Sequence, residues 1–218
     1  MKEKLKIDIV SDVVCPWCTI GYKRLNKAIT ELNLQDQIEI EWQPFELNPN
    51  MPAEGQKLQE HILEKYGTTV EQYKASQKAM ADAGAELDFA FNYFDSMRMV
   101  NTFDAHILLE YAKDFDKQTE LKMRLTTAFF SEQKDVSKHE VLKEALLDVG
   151  LNADEALAKL EDADIRNQIK SKQGYWQEMG VSSVPTIVFN RTSAVTGAQP
   201  VDVFKKVLKD MLASPNVE

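Results

Sequence analysis

The chain contains only two cysteines in 218 residues, and they stand three positions apart between a strand pattern and a helix pattern. Residues 5–10 are mostly apolar and predict a short strand, and Val13 and Val14 continue this apolar character up to Cys15. Pro16 suits the first position of a helix, because no intrahelical hydrogen bond uses its missing N–H group. Apolar residues then recur every three or four positions from Cys18 to Leu32. The sequence therefore predicts a helix with Cys15 at its first turn and Cys18 facing the interior.

Four roles are open to such a pair of cysteines: a structural disulfide, half of a metal site, two inert buried side chains, or a redox-active dithiol. A chain with 44% hydrophobic residues can bury a large core without a disulfide. A bond between residues three apart also closes too short a loop to restrict the unfolded chain much. A structural zinc site needs about four ligands, and His61, His106 and His139 have no paired spacing. We therefore expect no metal and no other cofactor.

Charge and hydropathy exclude several classes of partner. A formal net charge of -9 argues against nucleic acid and anionic membrane surfaces. The N-terminal stretch MKEKLKIDIV has no apolar run of the about 7 to 15 residues that a signal peptide needs, since Asp8, Ser11 and Asp12 interrupt it. No segment approaches the roughly 18 apolar residues of a membrane span. We expect a cytoplasmic protein, in a compartment that keeps ordinary thiols reduced.

The two ends of the chain carry the sheet-forming patterns. Residues 37–43 alternate apolar and polar side chains, which predicts an edge strand with one solvated face. Residues 184–190 predict a strand that a proline introduces, and residues 194–196 a short partner after a turn. A final amphipathic helix follows Pro200. Strand, helix, strand, then hairpin and helix is the thioredoxin-type topology, in which CxxC occupies the redox position after the first strand.

The middle of the chain, about 125 residues, has helical apolar spacing almost throughout. The predicted helices span 54–66, 70–83, 103–113, 121–132, 141–149, 155–160 and 165–179. Ser137 with Glu140, and Asn152 with Glu155, have the spacing of helix capping boxes. The predicted fold class is α/β, a thioredoxin-like mixed sheet interrupted by a large all-helical insertion. The sequence predicts a thioredoxin-like domain from residues 1–52 and 180–218, with 53–179 as the helical insertion subdomain.

Five short motifs carry a resemblance to a known family over nearly the whole chain. They are CPWC at 15–18, FELNP at 45–49, NTFDAH at 101–106, SVPT at 183–186 and TGAQP at 196–200. In this order they resemble the DsbA-like branch of the thioredoxin superfamily, and within it the FrnE-like cytoplasmic oxidoreductases. The resemblance implies a thiol-disulfide oxidoreductase that acts on protein or low-molecular-weight thiol and disulfide substrates.

The dithiol chemistry follows from the position of each sulfur. A thiolate is favoured at a helix N-terminus by the helix dipole and the unpaired backbone N–H groups, so we predict Cys15 as the nucleophile. It attacks a substrate disulfide, and Cys18, one turn deeper, resolves the mixed disulfide. Pro16 and Trp17 between them offer no positive charge, so we expect a milder oxidant than the periplasmic enzyme with CPHC. We expect Trp17 to face the substrate.

Other candidate site residues come from the resemblance. It implies that Pro185 follows a cis peptide bond and faces the dithiol, and that Val184 exposes backbone groups to a bound peptide. His106, within NTFDAH, either borders the cleft or is a packing residue of its helix. Asp12 either assists proton movement or is a turn residue at the strand end. The candidate substrate-binding residues, all near the dithiol, are Pro16, Trp17, His106, Val184 and Pro185.

Two other functions remain open alongside disulfide exchange. Kappa-type glutathione transferases and hydroxychromene-carboxylate isomerases share the inserted architecture and resemble the NTFDAH segment. Those relatives keep a serine or a single thiol where this chain has both Cys15 and Cys18, which favours redox chemistry here. A chaperone-like module that holds unfolded chains is the third hypothesis.

Overall fold

The computed structural model describes residues 4–213, which form nine helices, two 3-10 turns and six strands. The strands in chain order are β1 (Leu5–Ser11), β2 (Ile38–Pro44), β3 (Gln56–Lys57), β4 (Arg98–Met99), β5 (Thr186–Phe189) and β6 (Ser193–Thr196). The helices are α1 (Pro16–Glu31), α2 (Leu58–Tyr66), α3 (Val70–Ala85), α4 (Phe103–Lys113), α5 (Gln118–Phe130), α6 (His139–Asp148), α7 (Ala153–Ala158), α8 (Ala163–Glu178) and α9 (Val201–Ala213).

Four strands build one mixed sheet in the order β2-β1-β5-β6. β1 runs parallel to β2 and antiparallel to β5, and β5 and β6 form a hairpin. Alternate residues of β1 point to opposite faces, so Ile7 and Ile9 pack in a core with α1 and α9, whereas Val10 packs in another with Trp176 of α8. Helices on both faces explain why every residue of β1 except Lys6 is buried, the polar Asp8 and Ser11 included. This is the mixed sheet with a large helical insertion that the sequence predicts.

The end of β2 departs from the predicted solvated face. Gln43 is buried and donates from Nε2 to Asp8 Oδ1 at 2.6 Å, while Trp176 Nε1 donates to Gln43 Oε1 at 3.2 Å. α8 covers this face of the sheet, so a polar side chain there is buried with hydrogen-bond partners rather than solvated. Periodicity within β2 could not reveal Trp176, which lies 133 positions after Gln43 in the chain.

The outer edge of β2 is paired with a side chain rather than with another strand. The Gln118 carboxamide at the start of α5 accepts from the Trp42 backbone N–H at 2.8 Å and donates to the Trp42 carbonyl at 3.0 Å. One amide therefore satisfies both backbone groups that point away from β1 at this position. β2 is an edge strand, as predicted, but its edge is covered at Trp42.

The insertion contains α2 to α8 and a two-residue antiparallel pair, β3 with β4, that the sequence pattern does not predict. α2 accordingly begins at Leu58, not at residue 54. Asn152 accepts from the Glu155 N–H at 3.2 Å and caps α7, as predicted. The predicted cap at Ser137 is wrong, because its hydroxyl donates to Asp135 and α6 begins after Lys138. The division at residues 53 and 179 stays a prediction.

Two helical glycines make a matched test of the packing in the insertion. A Cβ added at Gly84 of α3 would lie 2.5 Å from Phe91 Cδ2 and 2.6 Å from the Phe89 carbonyl oxygen. We expect Gly84→Ala to lower the free energy of unfolding by about 1–3 kcal/mol, measured in urea. Gly174→Ala in α8 should raise it by about 0.5–1 kcal/mol, because an added Cβ there would meet no heavy atom within 4 Å beyond its chain neighbours and its own helix backbone. Equal stability of the two variants would contradict the close packing at Gly84.

No helix between residues 4 and 213 combines the length and the apolar character needed to cross a membrane.

Candidate functional site

The nucleophile candidate occupies the N-cap position of α1. The Cys15 backbone is extended, at φ -97° and ψ 109°, and Pro16 is the first helical residue, as predicted. The Cys15 sulfur accepts a hydrogen bond from the Cys18 N–H at 3.3 Å. A sulfur at this position receives one of the N–H groups that a helix start leaves unpaired, and it stands at the positive end of the helix dipole. The Cys15 sulfur therefore faces two sources of partial positive charge.

Cys18 lies one turn further along α1 and is only 1% exposed. Both cysteines are free thiols in this structure. Burial raises the pKa of the Cys18 thiol well above its ordinary value, and the neighbouring Cys15 raises that pKa further. The positive charge of Lys122 opposes this rise. Cys18 is therefore held as a neutral thiol inside the protein, directly behind Cys15.

Pro185 follows a cis peptide bond, the geometry that the resemblance implies. The Val184 carbonyl oxygen lies 3.9 Å from the Cys15 sulfur, so this loop reaches the dithiol from the far end of the chain. The loop is held on both sides: the Pro185 carbonyl accepts from the Gly197 N–H at 2.7 Å, and Gly21 of α1 lets Pro185 approach closely. A Cβ at Gly21 would stand 3.1 Å from Pro185 Cγ. Thus α1 and the residue that follows β6 hold Pro185, and with it the adjoining Val184 carbonyl, in place.

Two aromatic side chains near the dithiol are exposed. Trp17, which follows half-buried Pro16 in the CPWC motif, is 43% exposed, in keeping with the predicted substrate-facing position. Tyr66, at the end of α2, is 60% exposed and close enough to Cys15 for the sulfur's charge to contribute to its pKa. Burial, followed by that charge, raises the pKa of Tyr66. Tyr66 was not predicted, because only the folded insertion brings α2 to the dithiol.

His106 lies in the interior beside Asp12. It is 3% exposed, and its Nε2 lies 3.4 Å from Asp12 Oδ1, within ion-pair distance but without the alignment of a hydrogen bond. Its ring thus contacts Asp12, and a role of His106 in substrate binding stays a prediction. The resemblance placed the NTFDAH segment near the cleft, but it could not specify the depth of the ring.

Asp12 links the dithiol to the FELNP loop from inside the protein. Its carboxylate accepts from the Val13 N–H at 2.7 Å and from the Leu47 N–H at 2.8 Å. Burial alone would raise its pKa, but His106, the Leu47 N–H and Lys122 outweigh burial and lower the pKa of Asp12 below its ordinary value. Asp12 is therefore a buried carboxylate three residues before Cys15. Its side chain does more than form a turn at the end of the strand.

Lys122 of α5 is a second residue, after Tyr66, that the sequence did not indicate. It is 2% exposed, and its Nζ has no hydrogen-bond partner among residues 4–213. The ammonium lies 5.1 Å from the ring centroid of Trp42, on which it forms a cation–π contact. Burial lowers the pKa of Lys122, against the opposing attraction of Cys18, Asp12 and Cys15. The available sequence signal was a lysine in line with Leu125 and Phe129, at the helical spacing of the apolar face of α5.

Asp12→Asn tests the buried carboxylate through the pH dependence of stability. A carboxylate whose folded pKa is lowered stabilises the fold above its unfolded pKa, and that stabilisation is lost as the pH falls through the folded pKa. We expect Asp12→Asn to cost about 1–3 kcal/mol of unfolding free energy at pH 7, with the difference from wild type shrinking below about pH 4. Urea unfolding at several pH values measures this. The exposed control Asp36→Asn should change little, and a pH-independent difference would contradict the assignment.

No group of three or more His, Cys, Asp or Glu side chains in residues 4–213 is arranged as a metal site.

The sequence matches the DSBA-like thioredoxin domain family over residues 6–209. It is 27% identical to YwbO from Bacillus subtilis over 208 residues, covering 94% of this chain and 96% of YwbO. The match therefore includes both ends of the sheet, the dithiol and the whole insertion.

Two solved structures show the same fold. A probable DsbA oxidoreductase from Streptomyces coelicolor is 28% identical, with a TM-score of 0.91 over 98% of this chain and 92% of that one. The cytosolic disulfide reductase DsbM from Pseudomonas aeruginosa, solved with GSH, is 16% identical, with a TM-score of 0.61 over 96% of this chain and 100% of that one. At 16% identity, the likeness to DsbM concerns the fold alone.

Proposed function

Because the chain belongs to the DSBA-like thioredoxin domain family, we propose that it is a thiol-disulfide oxidoreductase that works through Cys15 and Cys18. The observation that carries this proposal is the pairing of a nucleophile position with a resolving thiol. Cys15 caps α1 and receives the Cys18 N–H at 3.3 Å, and Cys18 follows one helical turn deeper. We also propose a cytoplasmic location, in keeping with a chain that has only two cysteines.

Disulfide reduction would proceed in two exchanges. The Cys15 thiolate attacks one sulfur of the substrate disulfide, forms a mixed disulfide and releases the other sulfur as a thiolate. Cys18 then loses its proton and attacks the Cys15 sulfur, so that the second substrate sulfur leaves and the protein disulfide closes. Two electrons pass from the protein to the substrate. The reverse sequence transfers a disulfide from the oxidised protein to a substrate dithiol.

The substrates proposed are protein or low-molecular-weight thiols and disulfides. The Val184 carbonyl, 3.9 Å from the Cys15 sulfur, stands where an extended peptide could pair with the backbone before the cis Pro185. Main-chain pairing of this kind tolerates many sequences. The exposed Trp17 and Tyr66 rings add apolar surface on which substrates of different sequence could pack.

Glutathione chemistry without a cycling disulfide is the alternative. A transferase or isomerase of this kind activates the thiol of bound glutathione. The affinity of such an enzyme for glutathione therefore does not depend on the enzyme's own cysteines. Calorimetry on the Cys15→Ser/Cys18→Ser double variant distinguishes the two functions. We expect no micromolar binding of glutathione by this variant. Micromolar binding, together with a failure of Cys18→Ser to capture protein partners, would favour the alternative.

A redox titration tests the proposed function directly. The protein is equilibrated in glutathione buffers of graded potential, its free thiols are alkylated, and the adducts are counted by mass spectrometry. We expect both thiols to disappear together in one two-electron transition. Persistence of both free thiols in oxidising buffer, or a stable glutathione adduct without an internal disulfide, would contradict the proposal.

A further inference from the structure

A groove of about 790 Å³ lies between α8, the start of α4 and the loop that follows β2. One wall is a face of α8, where Arg166, Lys170, Gly174 and Gln177 recur at helical spacing. The volume lies within the roughly 300–1,000 Å³ that is typical of small-molecule sites. Among residues 4–213, the groove shares no lining residue with the surroundings of the dithiol described above. It is therefore a separate space, and an inference about it goes beyond the proposed function.

Gly174 leaves the middle of the α8 wall open. A Cβ added there would meet no heavy atom within 4 Å beyond its chain neighbours and its own helix backbone. The loop after β2 contributes Pro49, Met51 and Ala53 to the lining, and their side chains are apolar. The groove thus combines free space with a polar helix face and an apolar loop.

Two cations lie over one aromatic ring in this groove. The guanidinium carbon of Arg166 is 4.8 Å, and the ammonium of Lys170 5.8 Å, from the ring centroid of Phe103. Arg166 is held in place, because its Nη1 donates to the Leu160 carbonyl at 2.8 Å and to Asp104 Oδ1 at 3.2 Å. Lys170 forms neither a hydrogen bond nor an ion pair with any residue between 4 and 213. One cation is therefore fixed in position, and its neighbour lacks a counter-charge.

The lining of the groove has an excess of positive charge. Its cations are Lys138, Arg166 and Lys170, and its carboxylates are Glu46 and Asp104. Besides Arg166, Asp104 has His139 nearby, with Oδ2 and Nε2 3.6 Å apart. Glu46 Oε2 accepts from Gln173 Nε2 at 3.1 Å. On a chain with a formal net charge of -9, the groove is thus a local exception that attracts anions.

We infer that this groove binds a small organic acid, with its carboxylate on Arg166 and Lys170 and its apolar body against the loop of residues 49–53. Within the described chain only Nη1 of Arg166 donates hydrogen bonds, so its Nε and Nη2 edge faces no protein partner. That edge matches a carboxylate, which accepts two parallel hydrogen bonds from a guanidinium. Lys170 gains the counter-charge that the protein does not supply.

The charge of the lining also selects among anions. Three cations and two carboxylates line the groove, so one negative charge on the ligand balances it. A monocarboxylate carries that single charge, whereas a phosphate monoester carries between one and two at neutral pH. The apolar side chains of Met51 and Ala53 add a preference for a body that is itself apolar.

Titration of the wild-type protein with 4-phenylbutyrate, followed by backbone amide nuclear magnetic resonance, tests the site. The Gly174 amide reports the groove, and the Gly21 amide, beside Pro185, reports the dithiol. We expect a saturable shift at Gly174 with a millimolar or lower Kd, and none at Gly21. The uncharged 4-phenylbutyramide should bind at least about tenfold more weakly, because it loses the charge-assisted hydrogen bonds. No saturable shift at Gly174, or equal affinity for acid and amide, would overturn the inference.

Two variants separate the charge of the groove from its space. Lys170→Gln should raise the Kd for 4-phenylbutyrate at least about threefold, since it removes one of the two cations. Lys172→Gln, on the same helix but paired with Glu110, is the matched control and should leave the Kd unchanged.

Gly174→Leu keeps both cations and fills the space. The added side chain starts in open space, so the variant should fold, as a dispersed amide spectrum would show. We expect it to abolish binding of 4-phenylbutyrate, followed at the Lys170 amide. Wild-type affinity in a folded Gly174→Leu, or equal effects of the two lysine variants, would contradict the assigned site.

Failure of this inference differs from failure of the proposed function. The Cys15→Ser/Cys18→Ser double variant should bind the acid as wild type does, because the groove shares no lining residue with the dithiol. A shift at Gly21 that disappears in the double variant would place the acid at the dithiol and overturn the inference, while disulfide exchange would stand.

Discussion

The Cys15→Ser variant should lose disulfide exchange completely, leaving only the rate of the buffer thiols. Cys15 is the sulfur at the helix N-terminus and the one beside the Val184 carbonyl, whereas Cys18 is 1% exposed and held as a neutral thiol. A neutral buried thiol is a poor nucleophile, so Cys18 should not substitute for Cys15. Reduction of insulin disulfides by dithiothreitol, followed by turbidity, measures the loss.

Serine is also a suitable control for the fold. It is among the preferred N-cap residues, and its hydroxyl oxygen can accept the Cys18 N–H in place of the sulfur. We therefore expect the free energy of unfolding to stay within about 1 kcal/mol of wild type. Alkylation of the wild-type protein near neutral pH gives an independent check. If Cys18 reacts faster than Cys15, the assignment of the nucleophile is wrong.

The Cys18→Ser variant should instead accumulate mixed disulfides. Cys15 can still attack a substrate, but the hydroxyl that replaces Cys18 cannot displace the substrate sulfur. Captured partners should appear in cell extract as adducts that dithiothreitol dissolves, visible on non-reducing gels and identified by mass spectrometry. The Cys15→Ser/Cys18→Ser double variant is the matched control and should capture none. Capture by the double variant, or its absence from Cys18→Ser, would contradict the two-step exchange.

Local patterns were sufficient to predict the elements that carry the dithiol. The apolar run ending before Cys15, the proline at position 16 and the helical spacing after Cys18 are all readable within about 25 residues, and each has its expected counterpart in β1 and α1. The hairpin of β5 and β6 could likewise be predicted from residues that are close together in the sequence. The resemblance, rather than the pattern, supplied the cis bond before Pro185.

The interior of the site could not be read in the same way. Asp12 follows β1, whereas His106 and Lys122 lie on α4 and α5. Their approach to one another depends on how the insertion packs on the sheet. A lysine at an apolar position of α5 indicates a buried charge only once that face of the helix is known to be buried. Gln43 shows the same limit, because its partner Trp176 lies on a helix that no pattern in β2 could indicate.

The Gln118 carboxamide bears on how the protein behaves when it is concentrated. Sheets associate through strand edges whose backbone groups are unpaired, and β2 is one of the two edges here. At Trp42 both backbone groups are already taken by Gln118, so a strand from a neighbouring molecule finds neither donor nor acceptor there. The opposite edge, β6, is only four residues long, which limits the ladder that it could offer. The sheet is thus protected from edge-to-edge aggregation at one end by a side chain and at the other by its shortness.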